Sequence, residues 1–95
     1  MSELVFEWDE VKARSNVLKH GVGFDEAKSV FNDKFALTIP DFGHSSGEER
    51  WLDIGISDRE RLLVVWYTER QDHIRIIGCR MATNAERRYY ENEQF

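Results

Sequence analysis

Two neighbouring stretches decide the fold of this chain: Arg61-Leu-Leu-Val-Val-Trp66-Tyr67-Thr68 and, after the polar residues Glu69 to Asp72, His73-Ile-Arg75-Ile-Ile77-Gly78-Cys79-Arg80. Both are rich in β-branched and aromatic residues, which pack well on a pleated sheet. Two such runs joined by a short polar segment are typical of a β-hairpin. The sequence therefore predicts two adjacent antiparallel strands around which the other elements are arranged.

The predicted hairpin has two chemically different faces. Side chains alternate along a strand, and a connecting segment with an even number of residues keeps this alternation in step across the turn. We therefore expect Arg61, Tyr67 and Arg80 to lie on one face, and Trp66 and Arg75 on the other. Each face is apolar in its middle, so we expect both to be covered at least in part.

Length and composition indicate one small globular domain over residues 1–95. Hydrophobic residues make up 41% of the chain and aromatic residues 13%, which is typical of a folded protein. No apolar run approaches the roughly 20 residues that cross a bilayer, and the N-terminus lacks a signal-peptide pattern. The single cysteine, Cys79, is interpreted as a small buried residue in a reducing compartment. We expect a cytoplasmic protein with no membrane contact.

The net charge of the chain is −5, but the basic residues are unevenly distributed along it. An acidic chain argues against nucleic acid as a partner. Residues 50–95, however, carry eight basic and eight acidic side chains, and all eight basic ones are arginine. The planar fork of arginine suits phosphate and carboxylate groups. This half of the chain therefore indicates a phosphate-bearing ligand or an acidic partner surface.

The remaining elements follow from apolar periodicity and from capping residues. Asp9 and Gly21 are typical of the start and end of a helix, and Thr83 with Glu86 forms a capping-box pattern. The predicted order places one strand before two helices, then four strands, then a last helix. This order favours an α+β fold with an antiparallel sheet, two N-terminal helices and one C-terminal helix. The expected strands are 4–8, 35–39, 50–57 and the hairpin, and the expected helices are 10–20, 25–31 and 84–92.

The first helix is predicted to be amphipathic. Val11, Val17 and Leu18 give it an apolar side, while Lys12 and Asn16 belong, with Lys19, to a polar stripe.

A set of short motifs recurs in a fixed order along the chain. The motifs are Phe6-Glu-Trp8-Asp9, Lys19-His20-Gly21-Val22, Glu26-Ala27 with Val30-Phe31 and Asp33, His44-Ser45, Glu49-Arg50, Ile54-Gly55, Val65 with Tyr67-Thr68 and Arg70, Ile74-Arg75-Ile76-Ile77 with Arg80, and Glu86-Arg87. This ordered set resembles the BrnT family, the toxin half of type II toxin–antitoxin modules, over nearly the whole chain. The resemblance implies a RelE-like fold and a ribonuclease that shuts down translation. It also implies an antitoxin, BrnA, that is similar to ribbon-helix-helix DNA-binding proteins and covers the toxin.

The chain departs from the family pattern at three places. Gly23 stands where the family commonly has a serine that caps the second helix, and Lys34 stands where it commonly has proline. Gly78-Cys79 replaces a serine–alanine pair before Arg80. These departures bear on local stability and on the wall of the active site.

Arg80 is the first candidate for holding phosphate, because RelE-like toxins place an arginine at the end of the last strand. The alternative is an ion pair with a carboxylate such as Glu86. Arg61 is a second candidate clamp or a solvated strand residue. Tyr67 is a candidate to contact phosphate or stack on a base, or else a buried tyrosine. We interpret all three as catalytic candidates.

His44 is the fourth catalytic candidate, because a histidine near neutral pKa transfers protons, although a loop histidine is more often inert. Lys19, Arg70 and Tyr89 are candidate RNA contacts; Lys19 could equally be solvated, and Tyr89 or Tyr90 could pack the last helix on the sheet. Arg75 could lie over Trp66. Arg87 and Arg88 are candidate contacts for an acidic antitoxin.

Two hypotheses of function remain at this point. No spacing of histidines or cysteines suggests a metal site, and no cofactor is expected. The leading hypothesis is an endoribonuclease toxin that cleaves RNA without a metal and is neutralised by a BrnA-like antitoxin. The rival is a non-catalytic module that binds a DNA-binding partner and tunes its repressor activity.

Overall fold

Strands β4 (Leu62–Arg70) and β5 (His73–Met81) form the centre of a five-stranded sheet in the computed structural model, which describes residues 4–42 and 48–93. The strand order is β1-β5-β4-β3-β2. All neighbours are antiparallel except β1, which pairs with β5 in parallel. The α+β prediction is confirmed, with a mostly antiparallel sheet. The other elements are β1 (Val5–Glu7), α1 (Glu10–His20), α2 (Phe24–Ser29), a short 3-10 helix (Val30–Asn32), β2 (Leu37–Pro40), β3 (Trp51–Ile56) and α3 (Asn84–Asn92).

The predicted caps determine where α1 and α3 begin and end. Asp9 accepts hydrogen bonds from the first backbone N–H groups of α1, and Gly21 ends that helix with φ of 69°. Thr83 and Glu86 form the complete capping box of α3. Gly23 gives α2 no side-chain cap. Across the described ranges, every helix is too short or too polar to traverse a bilayer.

A β-bulge in β5 reverses the expected arrangement of the hairpin faces. Tyr67 pairs with Ile76 and Trp66 pairs with Gly78, so Ile77 is an extra residue between the two pairs. One extra residue exchanges the two faces for everything that follows it on that strand. Arg80 pairs with Val64 on the Trp66 side. The prediction that Arg80 shares a face with Arg61 and Tyr67 is therefore wrong.

The two faces of the sheet are covered by different helices. On one face, buried side chains from β4 and β5 pack with α2 and with Val22. On the other face, Tyr90 of α3 packs against Ile54, Leu62 and Val64. The expectation that both faces are at least partly covered is confirmed.

Helix α1 exposes the side that the sequence identifies as apolar. Val11, Val17 and Leu18 are exposed, whereas Asn16 is buried. The amide of Asn16 donates to the backbone oxygens of Val22 and Cys79, at 2.9 Å each. Its oxygen accepts from the backbone N–H of Cys79 at 3.3 Å. Since β1 pairs with β5 only as far as Glu7 and Arg75, Asn16 satisfies backbone groups on a strand edge that lacks a neighbour there.

Candidate functional site

Helix α3 leaves part of its sheet face uncovered. Leu52 and Trp66, which are cross-strand partners on this face, are only partly buried, in contrast to Ile54 and Leu62 beneath α3. We call the partly exposed surface around Trp66 the open face. By strand alternation the exposed Arg70 on β4 also lies on this face, as does Thr68, which is buried. An apolar centre with polar margins on a sheet is a surface on which a planar ligand can lie.

Arg80 occupies the centre of the open face. Its guanidinium carbon lies 5.0 Å from the centroid of the Trp66 ring, and its two terminal nitrogens donate to the Glu86 carboxylate at 2.8 and 2.9 Å. The hydrogen bonds from Arg80 hold the pKa of Glu86 below its usual range, so the pair is ionised at neutral pH. The side chain of Arg80 remains 31% exposed. Pairing with Glu86, the alternative left open above, is therefore present, and the side chain is still partly accessible.

Two more arginines lie on the open face, and each is bound to a carboxylate. Arg75 donates to Glu7 at 2.7 Å. Arg70 donates to both oxygens of Glu48, at 2.7 and 3.0 Å. Arg75 pairs across the strands with Thr68 and does not lie over Trp66, because the bulge brings Arg80 to that position instead.

Arg61 lies on the opposite face and is bound to α2. Its Nε donates to Glu26 at 2.9 Å and a terminal nitrogen donates to the Gly21 carbonyl at 3.3 Å. Glu26 is buried and also accepts from Ser57 at 2.7 Å. The hydrogen bond from Arg61 holds the pKa of Glu26 below its usual range. Arg61 is therefore neither beside Arg80 nor a free strand-start residue; it ties α2 to the start of β4.

Tyr67 is a core residue, so its predicted contact with RNA is wrong. It is 3% exposed, its ring meets Phe31 edge to face, and its hydroxyl donates to Asp53 at 2.8 Å. The Thr38 hydroxyl donates to the same Asp53 oxygen at 2.9 Å. Burial raises the pKa of both Asp53 and Tyr67. Tyr67 is therefore a buried tyrosine, which is the alternative given in the sequence analysis.

The raised pKa of Asp53 predicts a pH-dependent difference between the parent and Asp53→Asn. Because burial raises this pKa above its ordinary value of 3.8, the folded state binds the proton more tightly than the unfolded state. The contribution of Asp53 to stability therefore falls as pH rises from its ordinary pKa to its raised one. The side-chain oxygen of asparagine at this position still accepts hydrogen bonds from the hydroxyls of Tyr67 and Thr38. We expect the variant to gain stability relative to the parent between pH 3 and pH 7, measured by urea unfolding; a constant difference would contradict this.

The other predicted residues are distributed around the molecule. Tyr89, Arg87 and Arg88 are exposed on α3, and Tyr90 is the tyrosine that packs on the sheet. Lys19 is exposed on α1. His44 lies outside the described residues. Within residues 4–42 and 48–93, no three histidine, cysteine or acidic side chains are grouped so that they could bind a metal ion.

The sequence of the chain matches a family model described as the ribonuclease toxin BrnT of a type II toxin–antitoxin system, over residues 8–86. The chain belongs to this BrnT family. A crystal structure of the Brucella abortus ribonuclease toxin BrnT superposes with a TM-score of 0.67 and 21% identity, covering 86% of this chain and all of that one. No curated protein sequence matches the chain. As a BrnT family member, the chain is a ribonuclease toxin with an RNA substrate and an antitoxin partner.

Sequence reasoning missed that Trp66 lies beside Arg80 on this BrnT surface. Alternation along the hairpin predicts the two residues on opposite faces, whereas the structure has both on the same face. The available signal was Gly78, since a glycine inside a strand pattern often marks a bulge. A bulge at Ile77-Gly78 would have moved Arg80 to the side of Trp66.

Proposed function

We propose that this BrnT chain is an endoribonuclease that cleaves RNA by metal-independent transesterification, with Arg80 as the group that binds the reacting phosphate. One observation carries the proposal: Arg80 is held on the ring of Trp66 at the centre of the open face, with its side chain partly exposed. A guanidinium fixed on an aromatic ring needs little reorganisation to accept an anionic ligand.

In the proposed reaction, the ribose 2′-oxygen attacks the adjacent phosphorus while its proton passes to a base. The new bond joins the 2′-oxygen to phosphorus, and the bond from phosphorus to the 5′-oxygen breaks. An acid protonates the departing 5′-oxygen, which leaves a 2′,3′-cyclic phosphate and a 5′-hydroxyl. Arg80 donates its parallel N–H groups to the phosphorane oxygens, where negative charge develops.

The carboxylates bound to the open-face arginines must be displaced by RNA. Glu86 binds the Arg80 fork with two oxygens, as a phosphate would. Glu48 binds Arg70 in the same way at an exposed position. We propose that RNA phosphates replace these carboxylates. Arg70 and the exposed Tyr89 then contact the flanking nucleotides.

His44 remains the proposed proton-transfer residue. Imidazole transfers protons both as a base and as an acid near neutral pH, which this reaction needs. Lys19 is exposed on α1, and α1 contacts the edge of β5, outside the open face, through Asn16. We therefore propose that Lys19 contacts only an RNA strand that extends beyond the open face.

We also propose the cellular role that is typical of the family. Cleavage of RNA in the cytoplasm stops translation, and a BrnA-like antitoxin with a ribbon-helix-helix domain neutralises the toxin. Arg87 and Arg88 are exposed on α3 beside the open face, so they are proposed contacts for acidic residues of that antitoxin.

Purified, antitoxin-free protein incubated with a single-stranded RNA tests the proposed reaction. We expect fragments that end in 2′,3′-cyclic phosphate, in the presence of EDTA as well as in its absence, measured by gel electrophoresis and mass spectrometry of the ends. Fragments with 3′-hydroxyl ends would contradict transesterification. Loss of cleavage in EDTA would contradict metal independence.

The non-catalytic alternative is favoured by one observation on the open face. Arg70, Arg75 and Arg80 are all bound to carboxylates. Of the described histidines, His73 lies seven residues before Arg80 on β5, about 23 Å along a strand, and His20 is on α1. If the purified protein leaves RNA intact but increases DNA binding by its partner, this alternative replaces the enzyme.

A further inference from the structure

Helix α1 exposes its large apolar side chains. Leu18 is 88% exposed, Val11 65% and Val17 49%, while the same helix buries Asn16 against the edge of β5. Val11 and Leu18 are seven residues apart, so they lie on the same side of the helix two turns from each other. We call Val11, Val17 and Leu18 the outer stripe. A helix that is apolar on its outside and polar at its buried position is inverted relative to an ordinary surface helix.

A groove beside the outer stripe continues this surface with apolar and charged side chains. The groove has a volume of about 300 Å³ and lies between α1 and the start of α2. Val17 belongs both to the outer stripe and to the wall of this groove. The stripe and the groove together offer a ridge and a hollow to a partner element. The other walls are apolar at Trp8, Ala13 and Phe24 and charged at Glu10, Arg14 and Asp25.

Cationic side chains lie within and beside the outer stripe. With about 100° between successive helical residues, Arg14 lies on one side of the line through Val11 and Leu18, between that line and Val17. Lys12 and Lys19 lie on the other side. All three are exposed, and none forms an ion pair with a residue of the described part of the chain. The helix carries these three cations and a single anion, Glu10, in a chain whose net charge is −5.

This combination defines the chemistry of the occupant. Adjacent apolar residues need a second apolar surface, and an RNA strand offers phosphates but no apolar ridge. Cations on both sides of the line through Val11 and Leu18 match acidic residues on both sides of an apolar line, as in paired helices with charged flanking positions. We propose that an acidic amphipathic helix of the antitoxin docks on the outer stripe of α1. The identity of the partner as an antitoxin rests on the proposed function.

The position of α1 separates this contact from catalysis. Asn16 holds α1 at the edge of β5, on the side of the core formed with α2, while Arg80 and Trp66 lie on the other face beside α3. A change on the outer stripe can therefore release the antitoxin without touching the open face. Such a variant is a toxin that its antitoxin no longer neutralises.

Co-expression with the products of the flanking reading frames tests the docking site. The probe is the flanking product that restores growth when it is expressed with the parent chain. This product is purified and titrated against the toxin. We expect Leu18→Asp to weaken its binding at least ~30-fold, the effect of losing a central apolar contact, and to retain the parent's RNA cleavage. Arg14→Glu should weaken binding less and reduce its dependence on salt. Leu4→Asp, the same change at a leucine that is 53% exposed outside the stripe, is the matched control.

The possible outcomes distinguish this inference from the proposed function. Unchanged neutralisation of Leu18→Asp overturns the docking site and leaves the enzyme intact. If no flanking product restores growth, the antitoxin role in the proposed function fails, and the docking site fails with it. Self-association of the parent that Leu18→Asp abolishes would assign the stripe to a second copy of the chain. Binding of the parent to phosphatidylglycerol vesicles that the same variant abolishes would assign it to a lipid surface, and either result overturns the proposal.

Discussion

Replacing Arg80 with alanine is expected to lower the rate of RNA cleavage by about 10²- to 10³-fold, the usual effect of removing one group that stabilises charge in a transition state. The guanidinium of Arg80 is the partly exposed cation at the centre of the open face, 5.0 Å from the Trp66 ring. The measurement is the initial rate of RNA cleavage by purified protein, together with growth arrest at equal protein abundance. Because Arg80 is at the surface, the variant should remain folded by circular dichroism.

Two further variants separate the role of Arg80 in phosphate binding from its role in the ion pair. Glu86→Gln keeps the capping box, in which glutamine replaces glutamate well, and removes the charge that competes with RNA. We expect its cleavage rate to equal or exceed that of the parent. Arg80→Lys keeps a charge but loses the fork, so its rate should be intermediate. Undiminished cleavage by Arg80→Ala would rule out Arg80 as the phosphate-binding group, and equal losses in Arg80→Ala and Glu86→Gln would assign the effect to the ion pair.

Replacing Asn16 with alanine is expected to give the largest loss of stability among the substitutions considered. The side chain of Asn16 bonds with two backbone oxygens and one backbone N–H, on Val22 and Cys79. Alanine leaves these buried groups without their partners, and each such group costs about 1–3 kcal/mol. We expect a total loss of about 2–4 kcal/mol, out of the 5–15 kcal/mol typical of a domain. Urea unfolding followed by tryptophan fluorescence measures it.

The matched control for Asn16 is its neighbour Ser15. Ser15→Ala changes a half-buried polar residue of the same helix and should shift the free energy of unfolding much less. Asn16→Asp should also destabilise at neutral pH, because a carboxylate cannot donate to the oxygens of Val22 and Cys79. If Asn16→Ala unfolds at the same urea concentration as Ser15→Ala, Asn16 does not hold α1 on the sheet edge.

The two large effects concern different parts of the molecule. Asn16 bonds with backbone groups at the edge of β5, whereas Arg80 lies on the open face with its side chain partly exposed. A variant that loses activity through Asn16 should regain it at low temperature, where the folded population is restored. A variant that loses activity through Arg80 should not. This comparison distinguishes a folding defect from a defect in phosphate binding.

Local chemistry explains which predictions are confirmed. The bounds of α1 and α3 match the structure, because Asp9, Gly21 and the pair Thr83 and Glu86 satisfy backbone groups within a few residues of themselves. The hairpin and the order of elements also match, since they depend on apolar patterns along single segments. The parallel pairing of β1 with β5 was not predicted, because it joins residues that are far apart in the chain.

The amino-acid sequence by itself determined the elements, their caps and the family of this protein. Tertiary structure alone decided which side chains meet. The extra residue Ile77 turned Arg80 away from Arg61 and Tyr67 and onto Trp66, and the unpaired edge of β5 drew Asn16 inward, which left Leu18 outside. The physical reason is the same in both cases. A bulge and an unpaired strand edge exist only between strands, so alternation read along one segment cannot reveal them.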